Sequence, residues 1–177
     1  YEVKKLDEAD LKKLLEDVRE QKVNVDEGVK ILKDLPFKDL GYAMIDNHRE
    51  IRVGYPEVIY CAGKTVKQVR GIVEFMLTKE NNILGTRANE EMYQAVKELC
   101  PCARYNKEAR TITIRKKEQK ETESYIAIVT AGTSDIPVAE EAFETARIFD
   151  NKVEKVFDAG VAGIHRLFHK MDIIRQA

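Results

Sequence analysis

The run Ala131-Gly132-Thr133-Ser134-Asp135 brings together a glycine, two hydroxyls and a carboxylate. It directly follows the apolar stretch Tyr125–Thr130 and directly precedes Pro137. A turn of this kind lies at the carboxyl end of a strand, where open α/β sheets bind ligands. Gly132 lets backbone approach a ligand, and Thr130, Thr133 and Ser134 add hydroxyls. The start of the next helix offers free N–H groups to an anion. Two roles stay open for Asp135. It is a functional carboxylate, or it caps the helix that Pro137 opens.

A second polar cluster, Asp158-Ala159-Gly160-Val161-Ala162-Gly163-Ile164-His165-Arg166, follows the next apolar run. His165 suits proton transfer near neutrality or donation to a phosphate. Arg166 suits a bidentate grip on phosphate or carboxylate. Neighbouring helix residues point about 100° apart, so the pair need not share one pocket. A third cluster spans Asp46 to Glu57 and includes His48, Arg49 and Arg52, followed by Gly63-Lys64-Thr65. The latter resembles the end of a phosphate-binding loop, but Val58 stands where that loop needs its first glycine, which excludes a nucleoside triphosphatase. Thr65 then reads as a helix cap. Arg87, in Gly85-Thr86-Arg87-Ala88, follows another short strand and can face the same crevice.

The elements that position these groups follow from apolar spacing. Residues 6–35 read as a helical hairpin ended by Pro36. Short strands are expected at 43–45, 58–60, 82–84 and 111–114, the last half exposed, with helices from Thr65 and over 89–99. The charged run from Arg115 to Glu123 lacks apolar periodicity and reads as a linker. Beyond it, strand 125–130, a helix from Pro137, strand 153–157 and a helix from Gly160 start a doubly wound parallel sheet. The expected organisation is therefore α/β, with a helical hairpin over 1–38, a small α/β domain over 39–120 and an incomplete doubly wound domain over 124–177. Two strands are too few for an independent core, so the chain reads as a fragment.

Composition narrows the function classes. Charged residues make up 34% of the 177, yet the formal net charge is −1. No one-sided basic surface for nucleic acid is expected. Apolar runs are far too short for a membrane span, and no signal segment opens the chain, so cytoplasmic residence is expected. Three cysteines, Cys61, Cys100 and Cys102, are an odd count, read as reduced thiols. Cys100-Pro101-Cys102 lacks the spacing of a zinc site.

The blocks Asp46-x-His48-Arg49-x-x-Arg52-x-Gly54-x-Pro56-Glu57-Val58-Ile59, Gly63-Lys64-Thr65, Thr86-Arg87, Val129 through Ala142 and Gly160 through Leu167 together resemble the LarB family. They cover most of the chain from Leu40 onward. The resemblance implies an enzyme that carboxylates C5 of the pyridinium ring of nicotinic acid adenine dinucleotide with carbon dioxide and hydrolyses its phosphoanhydride to release AMP. The product would be pyridinium-3,5-biscarboxylic acid mononucleotide, a precursor of the nickel-pincer cofactor of lactate racemase. A flavodoxin-like domain similar to carboxyaminoimidazole ribonucleotide mutase and a homo-octamer are implied as well. Carbon dioxide or bicarbonate is the co-substrate, and magnesium is left open for the hydrolysis.

On this resemblance Asp135 and Lys64 are the catalytic candidates. Arg49, Arg52, Arg87, Thr130, Gly132, Thr133, Ser134, His165 and Arg166 are the candidates for holding substrate. The family's attacking cysteine lies beyond the point matching Ala177, so no cysteine here is assigned that role and this chain alone is expected to be inactive. An aminoimidazole ribonucleotide mutase and a non-catalytic nucleotide-binding or assembly module are the alternatives.

Overall fold

The computed structural model describes residues 8–33, 38–46, 49, 55–116 and 122–177. They divide into two compact units, Tyr1–Glu57 and Val58–Ala177. The first holds α1 (Glu8–Arg19) and α2 (Val25–Lys33), the expected hairpin. It also holds β1 (Lys38–Asp39) and β2 (Met44–Ile45), an antiparallel pair. Leu14 and Ile45 are its buried apolar residues among those described, while Leu15, Val25 and Val29 stay exposed.

The second unit opens with β3 (Val58–Tyr60), α3 (Val66–Leu77), β4 (Ile83–Thr86), α4 (Glu90–Leu99), β5 (Arg104–Asn106) and β6 (Thr111–Ile114). The sheet order is β3-β4-β6-β5, with β3 parallel to β4 and β6 antiparallel to both of its neighbours. Local chemistry sets the helix starts. Thr65 caps α3 in a reciprocal box with Gln68, and Asn89 accepts the Met92 N–H at the start of α4. Val69, Ile72, Val73 and Met76 of α3 recur at helical spacing and are buried, as are Met92 and Val96 of α4.

After residue 121 come β7 (Tyr125–Val129), α5 (Ile136–Ile148), β8 (Lys152–Val156), α6 (Ile164–His169) and α7 (Met171–Arg175). Single 3-10 turns at Thr133–Asp135 and Val161–Gly163 precede α5 and α6. Strands β7 and β8 are parallel, from Tyr125↔Lys152 to Val129↔Val156, with α5 as their crossover. The mixed α/β class and the parallel β-α-β start of a flavodoxin-like fold are what the sequence led one to expect.

Particular elements differ from expectation. Strand β6 is almost wholly buried rather than half exposed, because α5 packs on β4 and β6 as well as on β7 and β8. Strand β5 was not foreseen. Arg115 and Lys116 are not linker: Arg115 pairs with Asp150 at 2.6 Å, and the Lys116 N–H donates to Asn82 at 2.9 Å. Residues 117–121 of the expected linker lie outside the described residues, and the boundary foreseen there falls within the second compact unit. Cys100 and Cys102 are not free thiols. They are bonded to each other, with Cα atoms 5.3 Å apart, a separation that suits a disulfide. Only Cys61 is a free cysteine among the described residues.

Candidate functional site

The parallel pairing of β7 and β8 brings two loops together at the carboxyl ends of these strands. Thr130 joins them. Its N–H donates to the Val156 carbonyl at 3.0 Å, and its carbonyl accepts from the Ala159 N–H at 2.9 Å. Its hydroxyl oxygen accepts from the Asp158 N–H at 3.2 Å. At 6% exposure, Thr130 works mainly as this joint. Gly160 completes it: a Cβ there would come within 2.6 Å of the Ala131 carbonyl oxygen, closer than real Cβ atoms approach. The two loops are thus locked together by backbone contacts that only a glycine permits.

Gly132, Thr133, Ser134 and Asp135 form the lip of this junction, the last three exposed. The Asp135 carboxylate makes no side-chain cap on α5. It turns back to accept the Gly132 N–H at 3.3 Å, which closes the 3-10 turn. The capping role is therefore performed on the short turn, through one carboxylate oxygen.

Across the junction, Asp158 adopts a left-handed backbone, φ 58°, and pairs with Arg166. Non-glycine residues in this region are uncommon, although Asp is among the more tolerant. Gly163 leaves room for the arrangement, since a Cβ there would meet Nε of Arg166 at 2.6 Å. His165, the residue before it on α6, is exposed, as is Arg166. Asp158 was not singled out from sequence. An Asp followed shortly by glycine after a strand is a turn signal that could have marked it.

The parallel strands β3 and β4 present their carboxyl ends in the same way. Past β3, the Cys61 N–H extends the pairing to the Thr86 carbonyl, and Gly63, φ 77°, turns the chain so that the Lys64 N–H reaches the Cys61 carbonyl. The Lys64 ammonium donates to the Tyr60 carbonyl at 2.8 Å. Past β4, Arg87 is also left-handed, φ 54°, and its Nε lies 2.8 Å from Glu141 of α5. That partner, Glu141, was not foreseen either. Uncommon backbone at both Arg87 and Asp158 places local strain at strand ends, where functional loops concentrate it.

In the first unit, the Asp46 N–H donates to the Glu57 carboxylate at 2.5 Å. Burial raises the Glu57 carboxyl above its usual range. The Asp46 hydrogen bond opposes that rise, the Asp46 charge adds to it, and the Arg49 charge opposes it. Arg49 is exposed. His48 and Arg52 lie outside the described residues.

Cys61 is fully buried beneath Gly85, and burial lifts its thiol to about 11. A thiol held neutral in this way is a poor nucleophile. With Cys100 and Cys102 bonded to each other, none of the three is poised for attack on a ring. The described residues contain no group of three or more His, Cys, Asp or Glu arranged to hold a metal ion. No described helix is long and apolar enough to cross a membrane.

Comparison with known proteins supplies the context. Residues 37–117 match the LarB/PurE-like N-terminal domain. An uncharacterized protein of Methanocaldococcus jannaschii is 35% identical over 131 residues. That alignment covers 70% of this chain and 51% of the relative, so the chain spans about half the length of the curated relative it matches.

Proposed function

Because residues 37–117 match the LarB/PurE-like N-terminal domain, we propose that the chain belongs to the LarB family and forms part of a carboxylase and hydrolase acting on nicotinic acid adenine dinucleotide. The observation that carries this reading is the locked pair of loops at the carboxyl ends of β7 and β8. They present Gly132, Thr133, Ser134, Asp135 and Arg166 at the edge where doubly wound sheets take their ligands.

The chemistry suits those side chains. A pyridinium ring is electron-poor and does not attack carbon dioxide. Addition of a thiolate to the ring gives a dihydropyridine whose C5 is nucleophilic. C5 then forms the new bond to carbon dioxide, loses its proton to a base, and expulsion of the thiolate restores the aromatic ring. Asp135 is the base proposed for that proton. The thiolate comes from outside this chain, since Cys61 is buried and neutral and the other two cysteines are bonded together.

Hydrolysis of the phosphoanhydride needs cations and N–H groups around the phosphates. Lys64, Arg87 and Arg166 are the proposed cations, with Thr133 and Ser134 donating hydroxyls. Arg87 and Arg166 already hold Glu141 and Asp158, so an incoming anion must share or displace those carboxylates. The PurE-like part of the matched family keeps a second reading in view, a mutase acting on a carboxylated aminoimidazole ribonucleotide.

Labelled bicarbonate separates the two. A full-length protein containing this segment should transfer label to nicotinic acid adenine dinucleotide, while the chain of 177 residues alone transfers none. Label entering aminoimidazole ribonucleotide, or movement of the carboxylate within an already carboxylated ribonucleotide without uptake of label, would favour the second reading, and label entering the dinucleotide with the short chain would overturn the assignment of the thiolate.

A further inference from the structure

A cavity of about 580 Å³ opens along the β5 edge of the four-stranded sheet, between β5, the end of β6 and the last turns of α5. Its position follows from the registers. Strand β6 runs antiparallel to β4, with Ile83↔Ile114, so Arg115 emerges where β4 begins, at the opposite end from Arg87. The cavity's other wall is the last turn of α5, whose first turn adjoins Asp135. It shares no lining residue with the loops after β3, β4, β7 or β8.

The lining is strongly cationic. Arg104 and Lys107 come from β5 and the residue following it, Arg115 from just past β6, and Arg147 from α5. Arg104 pairs in register with Thr113, and Arg115 is two residues further along β6, so all three share one sheet face. The same face carries Asn106, which donates to Glu140 and Glu144 of α5, confirming that this side is turned toward the helix. Glu144 is the cavity's single carboxylate.

Three of these four cations are not there to neutralise protein groups. Among the described residues no carboxylate lies within ion-pair distance of Arg104, Lys107 or Arg147. Arg115 is held rigidly by Asp150 and by the Arg147 carbonyl. Nor does the carbonyl end of α5 cancel the field. The carbonyls of Ala146, Arg147 and Ile148 each already accept a side-chain hydrogen bond, from Asn151, Arg115 and Asn82. A cleft in which one sign of charge predominates, with low-dielectric walls, concentrates counter-ions of the other sign.

We propose that this cavity is a second, anion-binding site for a phosphorylated small molecule of nucleotide size, separate from the loops at the strand ends. The volume falls in the range of small-ligand pockets, roughly 300–1,000 Å³. Guanidinium groups at Arg104, Arg115 and Arg147 offer the planar, forked donors that suit phosphoryl oxygens. Since Asn82, Arg115 and α5 connect this end to both sheets, occupancy would tighten the packing of α5 against them.

Calorimetric titration of the chain with inorganic pyrophosphate tests the proposal. Wild type should bind, with affinity falling as salt rises. Arg104→Ala and Arg147→Gln should each weaken binding at least tenfold, and Arg104→Glu should abolish it. Lys67→Ala, on the exposed face of α3, should bind like wild type. Because both arginines are exposed, circular dichroism should be unchanged; if a variant is unfolded, amide shifts in the wild-type chain decide instead. Shifts on pyrophosphate addition centred on Arg104, Thr113 and Arg147 support the site. No binding, equal binding by the arginine variants, or shifts centred on Lys64 and Arg87 would overturn it.

Discussion

The two sheets of the second unit are stabilised differently. In the four-stranded sheet every residue of β4 is buried, with α3, α4 and α5 packed around the sheet. In the β7-β8 pair, Ile126 and Val129 remain 44% and 46% exposed, and Val161, Ile164 and Phe168 beyond it are exposed as well. Yet the closest approach of a described glycine to the backbone of another segment, Gly160 to Ala131, belongs to this less covered region, where Thr130 also bonds Asp158. The first sheet is rigid because its interior is filled. Order in the second comes from its loops. A ligand site placed there depends on a few backbone contacts rather than on a deep core.

Gly160→Ala should expose that dependence most sharply. The new methyl meets a carbonyl oxygen of the opposite loop, not a flexible side-chain end, so the backbone has to move. A loss of about 3 kcal/mol is expected, the upper range for overpacking, read as a lower urea midpoint. A Gly160→Ala chain as stable as wild type would show that the loops are not locked.

Cys61 probes the filled interior. Its thiol is held up to about 11, against an ordinary 9.0. The sign follows from the raised value: the neutral thiol favours the folded state, so its contribution is fully present below pH 9 and is lost as pH rises through 11. Two units correspond to at most about 2–3 kcal/mol. Urea midpoints should fall more steeply across that window in wild type than in Cys61→Ala, and parallel slopes would contradict the assigned burial effect.

Much of this contrast was legible in the sequence. Helical spacing marked α3 from Val66 to Leu77, Thr65 read as its cap, and the β7–turn–α5–β8 order is plain from residue 125 onward. What escaped notice depends on residues distant in sequence. Strand β5 has only three residues, Arg104-Tyr105-Asn106, with no apolar alternation, and exists because β6 pairs with it. The burial of β6 depends on α5, which follows it by some two dozen residues. Arg115 looks like linker charge until its partner Asp150 is in place. In the candidate site, Ser134, Asp135 and Arg166 were singled out from residue type, whereas Asp158 and Glu141 gain meaning only through the arginines they hold.

The central claim is that the loops after β7 and β8 form the ligand end of the site, with Asp135 acting on the ligand and not only on its own turn. Amide shifts of the nitrogen-15-labelled chain, followed during titration with nicotinic acid adenine dinucleotide, test it most directly. Wild type should show saturable shifts at Thr130, Gly132–Asp135, Asp158–Gly160 and Arg166. Asp135→Asn should melt within about 0.5 kcal/mol of wild type, because Asn caps about as well as Asp. It should nevertheless lose the shifts at Thr133 and Ser134 or need markedly more ligand to reach them. Shifts absent from both loops in wild type, or an Asp135→Asn titration indistinguishable from it, would contradict the account.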